Sequence, residues 1–173
     1  VVLTTDQIVA MTTKQVAALS TAQISKMGTA QLAALSGTQV AAIETTDIVA
    51  LTTSQISRFT MEQMPALTTA QMIAMETADL VQLTNSQIES ISSAGIGALS
   101  TDQVKVITTS QIKALTAAQV TALATDVSVI ETDQLRMLND EQMAAITTAG
   151  IAVLTTNQIA NLKATQVSAL TTG

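Results

Sequence analysis

One short pattern returns every eight residues along almost the whole chain, and that period limits what the chain can fold into. Thr108-Thr109-Ser110-Gln111-Ile112-Lys113-Ala114-Leu115 recurs with substitutions at Thr4–Met11, Thr52–Phe59, Thr68–Met75 and Thr155–Leu162. The unit reads T-T-x-Q-φ-x-A-φ, where φ is Ile, Val, Leu, Met or, once, Phe. A continuous α-helix turns about 800° over eight residues, so an apolar stripe of this period would drift by about 80° per unit. No partner could follow such a stripe, and no heptad is present, so a long helix and a coiled coil are both excluded. Each unit must contain its own break.

Position by position, the unit separates core from surface. Position five runs from Ile8 through Ile112 to Ile159 and Val167 and is apolar in all 21 units; position eight, including Leu3 and Leu115, is never polar. These two positions are three apart, which places them on one face of a short helix. Position four is Gln in 16 of 21 units, Gln7, Gln15, Gln23, Gln111 and Gln158 among them; Asp47, Asp79, Asp126, Gly95 and Gly150 are the departures. Position seven is mostly Ala, and position six is unrestricted, holding Val9, Pro65, Glu89, Lys105 and Arg136. Thr at position one with Gln at position four has the capping-box spacing, and Thr at position two is a second candidate N-cap. Either choice predicts a helix of roughly six or seven residues per unit.

A six-residue helix is unstable alone in water, because its nucleation cost is not recovered. The units must therefore stack, each burying its apolar face against its neighbours, which makes an all-α, tight solenoid of very short helices, one per eight-residue repeat. Positions five and eight point inward, Ala at seven permits close approach, position six faces solvent, and two units per turn are expected. A β-solenoid is the alternative, kept open by the many Thr, Val and Ile residues, though the unit lacks strict alternation. The spacing is unbroken from Gln7 to Gln119, loses one residue near 124–126, and then resumes, so residues 1–173 read as a single array of about 21 units. Pro65, at position six, is expected to distort its unit by removing an amide from the first turns.

Composition narrows the function. The net charge of −6, with 12% charged residues, gives no basic footprint for nucleic acid and no Lys/Arg cluster for an anionic membrane. No apolar run is long enough to span a bilayer. The chain has no Cys or His, so nucleophile–base pairs of the usual kinds are impossible and no enzymatic role is expected. Asp126, Glu131, Asp133, Asp140 and Glu141 gather near the lost residue but match no calcium-loop spacing, and are read as a solvated acidic patch, not a metal site. The position-four glutamines are assigned a structural role, pairing with the backbone groups left exposed where short helices end. At Gly95 and Gly150 a water or a neighbour's group should fill the place of the amide.

The octad, as in Thr12-Thr13-Lys14-Gln15-Val16-Ala17-Ala18-Leu19, resembles repeat tracts of large Gram-negative bacterial surface and adhesin-like proteins. The resemblance covers essentially the whole chain. It implies an extracellular or cell-surface location and a structural role as a stalk, surface fibre or surface layer. A haem role is not supported: the chain has no His or Tyr, and no cofactor is expected. The rival is a binding module for ice, a polymer or a carbohydrate, using rows of Thr. Neither end of the array carries a divergent polar unit of the kind that closes a solitary solenoid, so anchors such as Leu3, Ile8 and Val167 should be partly exposed. Self-association, head to tail or lateral, is the partnership expected.

Overall fold

The computed structural model describes residues 3–170. Among them, nineteen short α-helices and two 3-10 helices follow one another, one to each unit, with no strand. The α-helices are four to seven residues long, so several are shorter than the spacing predicts. The chain is an all-α repeat solenoid, and the β alternative is not found.

The unit Thr108–Leu115 shows how eight residues close on themselves. Thr108, at position one, is extended (φ −72°, ψ 160°) and is the N-cap of the helix Thr109–Ala114. Its hydroxyl accepts from the Gln111 backbone N–H at 3.4 Å, while its own backbone N–H donates to Gln111 Oε1 at 2.9 Å. This reciprocal pairing satisfies two of the amides a helix start leaves open. Position one is therefore the cap, and position two is the first helical residue. Leu115, at position eight, turns the backbone extended again (φ −60°, ψ 138°) while its N–H still reaches Ile112 O at 3.3 Å. Two extended residues thus join each helix of this form to the next.

Each helix packs on the one three units before it. Thr109–Ala114 lies against Asn85–Ser90, and Thr101–Val106 against Thr77–Leu80. Position-four side chains reach further, to carbonyls 28 and 31 residues back, in the fourth unit before their own. One turn therefore holds between three and four units, not two. The reason lies at the corners. Two units per turn would require the chain to reverse at every junction, which helices usually achieve through a left-handed residue such as Gly. Among the described residues Ala124 alone, apart from glycine, has positive φ, and no glycine does; the extended positions eight and one open the corner instead.

Positions five and eight line the axis: Ile112 is fully buried and Leu115 is 3% exposed, and Phe59 occupies the same position as Leu115 in its own unit. Ala at position seven is mostly half-buried between layers, while position six is mostly exposed. The expected distortion at Pro65 is present: that unit forms only the 3-10 helix Met64–Ala66, yet Met64 and Leu67 remain buried. The seven-residue unit is absorbed at Ala124, whose φ of 48° leads directly into the 3-10 helix Ala124–Val129. The latches that span it, from Gln134 and Gln142, have a separation of 27 residues where 28 is usual, and Gln158 and Gln166 return to 28.

Candidate functional site

The residue that the repeat conserves internally at position four does two jobs at once. Gln111 Oε1 caps its own helix, and its Nε2 donates to the carbonyl oxygens of Leu80 and Leu83, each at 2.8 Å. Those carbonyls belong to the C-terminal end of an earlier unit, where a helix has acceptors without intrahelical partners. An amide NH2 has two hydrogens, and here each finds one carbonyl. Gln111 is 2% exposed, so both bonds are shielded from water.

The same latch runs up the array. Gln39 bonds Ile8 O and Met11 O, Gln71 bonds Val40 O and Ile43 O, Gln119 bonds Ile88 O and Ile91 O, and Gln166 bonds Leu135 O and Leu138 O. Gln158 is buried and donates to Ser128 O at 3.0 Å and Ile130 O at 2.8 Å. The capping half of this arrangement is visible in the sequence as a spacing of three. The other half is not: nothing in T-x-x-Q says that the amide also reaches a second helix about 28 residues away.

Where position four is not Gln, the latch changes character. Asp47 is buried and accepts from the Thr21 hydroxyl at 2.6 Å, and Asp126 accepts from Thr101 at 3.1 Å. The two glycines stand above irregular units. Counting back 28 and 31 residues from Gly95 gives Leu67 and Met64, in the Pro65 unit. Counting back 27 and 30 from Gly150, across the seven-residue unit, gives Leu123 and Val120, just before Ala124. Neighbouring groups fill the place of a side chain. A Cβ on Gly95 would lie 2.9 Å from Ile91 Cγ2, and one on Gly150 would lie 2.8 Å from Ala124 O.

At its two ends the array exposes different halves of the same contact. Gln7, Gln15 and Gln23 are exposed; their Oε1 atoms cap Thr4, Thr12 and Ser20, while their Nε2 atoms have no partner among the described residues. Gln31 is the first to reach back, to Leu3 O. At the other end Gln158 and Gln166 are buried, but Ile159 and Val167 are 42% and 46% exposed. Position five is therefore covered by the layer that follows, and position four covers the layer before. This corrects the expectation for Ile8, which is fully buried although it lies in the first unit, because later units cover it; Leu3, at position eight, is 37% exposed as expected. Ile159, one of the anchors expected to be buried, is the counterpart at the far end.

The remaining candidates stay separate. Among the described residues no three His, Cys, Asp or Glu side chains come together as a metal group. Asp133 pairs with exposed Arg136 at 3.8 Å, one turn away on its own helix. Position-one hydroxyls are occupied by capping, and the position-two row is broken at Gly37, Met61, Asn85 and Ala117. No helix among the described residues is long and apolar enough to cross a membrane.

Comparison with known proteins also finds a repeat. A family model described as ALTTAQ repeat matches residues 14–42, 40–75, 72–109 and 127–172, most of the chain. No curated protein matches it.

Proposed function

Since this chain belongs to the ALTTAQ repeat family, we propose that it is a structural repeat element of an extracellular or cell-surface assembly, a stalk, fibre or layer subunit without catalytic activity. One observation carries this reading: from Gln31 onward every position-four Gln is spent on holding its unit to an earlier one. The chemistry that the repeat enforces is internal, while the outward position six is left free to vary. A spacer needs that combination, because its length must be fixed and its surface need not be. Its assembly is end to end with further layers of the same repeat.

A binding module for ice, a polymer or a carbohydrate would instead need one face of uniform chemistry. Stacking at intervals of three and four units brings Thr5 and Thr29 into line with Gly37 and Met61, which carry no hydroxyl. Antibody labelling of the native source in electron microscopy tests the proposal. Label on surface fibres or a surface layer is expected; label confined to the cell interior would overturn it.

A further inference from the structure

Two joints inside the array lack a latch amide and carry acid instead. In the units of Asp47 and Asp79, position four is a carboxylate, and in both of them position one is Glu, Glu44 and Glu76, where Thr or Ser is usual. Elsewhere Glu stands at position one only at Glu131, before Gln134, and Asp126 has no Glu three residues before it. Asp79 is 3% exposed, and its side chain has no hydrogen-bond partner among the described residues. Asp47, 2% exposed, has the Thr21 hydroxyl alone. No Lys or Arg among the described residues pairs with any of these four carboxylates.

The register gives what the two buried carboxylates face. From Gln111, counts of 28 and 31 residues lead back to the Leu83 and Leu80 carbonyls; from Asp79 they lead to Leu51 and Ile48, and from Asp47 to Leu19 and Val16. A carboxylate has no hydrogen to give, and the Leu51 and Leu19 carbonyls have no donor among the described residues. Asp is also one carbon shorter than Gln, so its oxygens stop short of the place of the amide nitrogen. Oxygen thus faces oxygen at the C-terminal end of a helix, where the carbonyls favour positive charge. Gln71 Nε2 lies 2.8 and 2.7 Å from its two carbonyl oxygens. Calcium takes carboxylate and carbonyl oxygens at about 2.3–2.6 Å, close to that spacing, whereas magnesium demands a tighter octahedron at about 2.0–2.1 Å.

We propose that each Glu/Asp pair binds one calcium ion, which replaces the latch amide. Asp79 and the Leu51 and Ile48 carbonyls are the buried ligands of one ion, and exposed Glu76 closes over it. Asp47, the Leu19 and Val16 carbonyls and exposed Glu44 hold the other. The two joints are consecutive, since Asp79 addresses the unit that carries Asp47. Calcium therefore sets the firmness of the stretch from Val16 to Leu80 and leaves the glutamine-latched layers beyond it unchanged. The inference does not depend on a cell-surface location.

Isothermal titration of the chelator-treated chain with calcium chloride counts the ions, and thermal unfolding followed by far-UV circular dichroism reads their effect. Two ions per chain are expected, with the thermal midpoint raised by about 5 °C or more at about 10 mM calcium. Glu76→Thr combined with Asp79→Gln restores the usual unit and should leave one ion. Adding Glu44→Thr and Asp47→Gln should leave none and abolish the calcium shift. Asp79→Asn alone, of the same size as the residue it replaces, should also lose one ion. Absence of binding by the unsubstituted chain, binding that survives all four substitutions, or an equal shift from sodium chloride at matched ionic strength would overturn the proposal. So would a calcium-insensitive chain whose midpoint rises on acidification, which would assign the joints to protonated carboxyls donating to the carbonyls.

Discussion

The side-chain amide of Gln111 donates to the backbone carbonyl of Leu80, thirty-one residues earlier in the chain, at 2.8 Å. The same side chain caps its own helix, so a local signal and a long-range contact meet in one residue. Removing it should therefore cost more than removing a cap. Gln111→Ala is expected to destabilise the chain by about 1–3 kcal/mol, because buried carbonyls lose their donor. Gln15→Ala removes a cap whose amide has no second partner, and should cost about 1 kcal/mol. Lys113→Ala, at the outward position six, should stay within about 0.5 kcal/mol. Denaturant titration of the three variants checks the order; equal losses at Gln111 and Lys113 would mean that the faces are misassigned.

Coupling between layers should make core damage spread. Ile112 is fully buried, and Ile112→Asp places an uncompensated charge on the axis. Its unit contacts those three and four places away in both directions, so amide protection should fall around residues 76–91 and 131–146 as well as at 108–115. Hydrogen exchange that is faster only at 108–115 would contradict the stacking.

Ala124 holds a conformation (φ 48°, ψ −115°) that costs a residue with a Cβ and suits glycine. Ala124→Gly should raise stability by about 1 kcal/mol, even though glycine is normally unfavourable beside a helix. A lower thermal midpoint for this variant would show that the strain has been misplaced.

Restoring the repeat should fail at one place. Gly150→Gln brings position four back to the usual residue, yet its Cβ would meet the backbone oxygen of Ala124 at 2.8 Å, and the carbonyls it would address lie next to the irregular turn. A loss of about 1–3 kcal/mol is expected from overpacking. A gain in the same denaturant titration would show that the glycine is accidental.

The parts of this fold that were legible in the sequence are those set within one unit. The helix and the burial of Ile112 and Leu115 follow from spacings of three and four, which leave the cap between Thr108 and Thr109; the structure places it at Thr108. The number of units per turn depends on the corner at Leu115 and Thr116, whose angle no residue type at those positions announces. The second partner of Gln111 depends on that corner too, and so was not legible. Ile8 and Ile159 occupy the same position in the repeat but differ in burial, because cover comes from the following layer. A repeat pattern cannot record which layer an anchor faces.

The central claim is that glutamine amides hold each unit to the fourth unit before it. Side-chain amide signals of the 15N-glutamine-labelled chain test this directly, at a concentration where it is a single species in solution. The account predicts slow hydrogen exchange for the Nε2 protons of Gln103, Gln111 and Gln119, with nuclear Overhauser contacts from Gln111 to Leu80 and Leu83, and fast exchange for Gln7, Gln15 and Gln23. Uniformly fast exchange, or contacts from Gln111 to residues about 16 positions earlier as two units per turn would require, would contradict it.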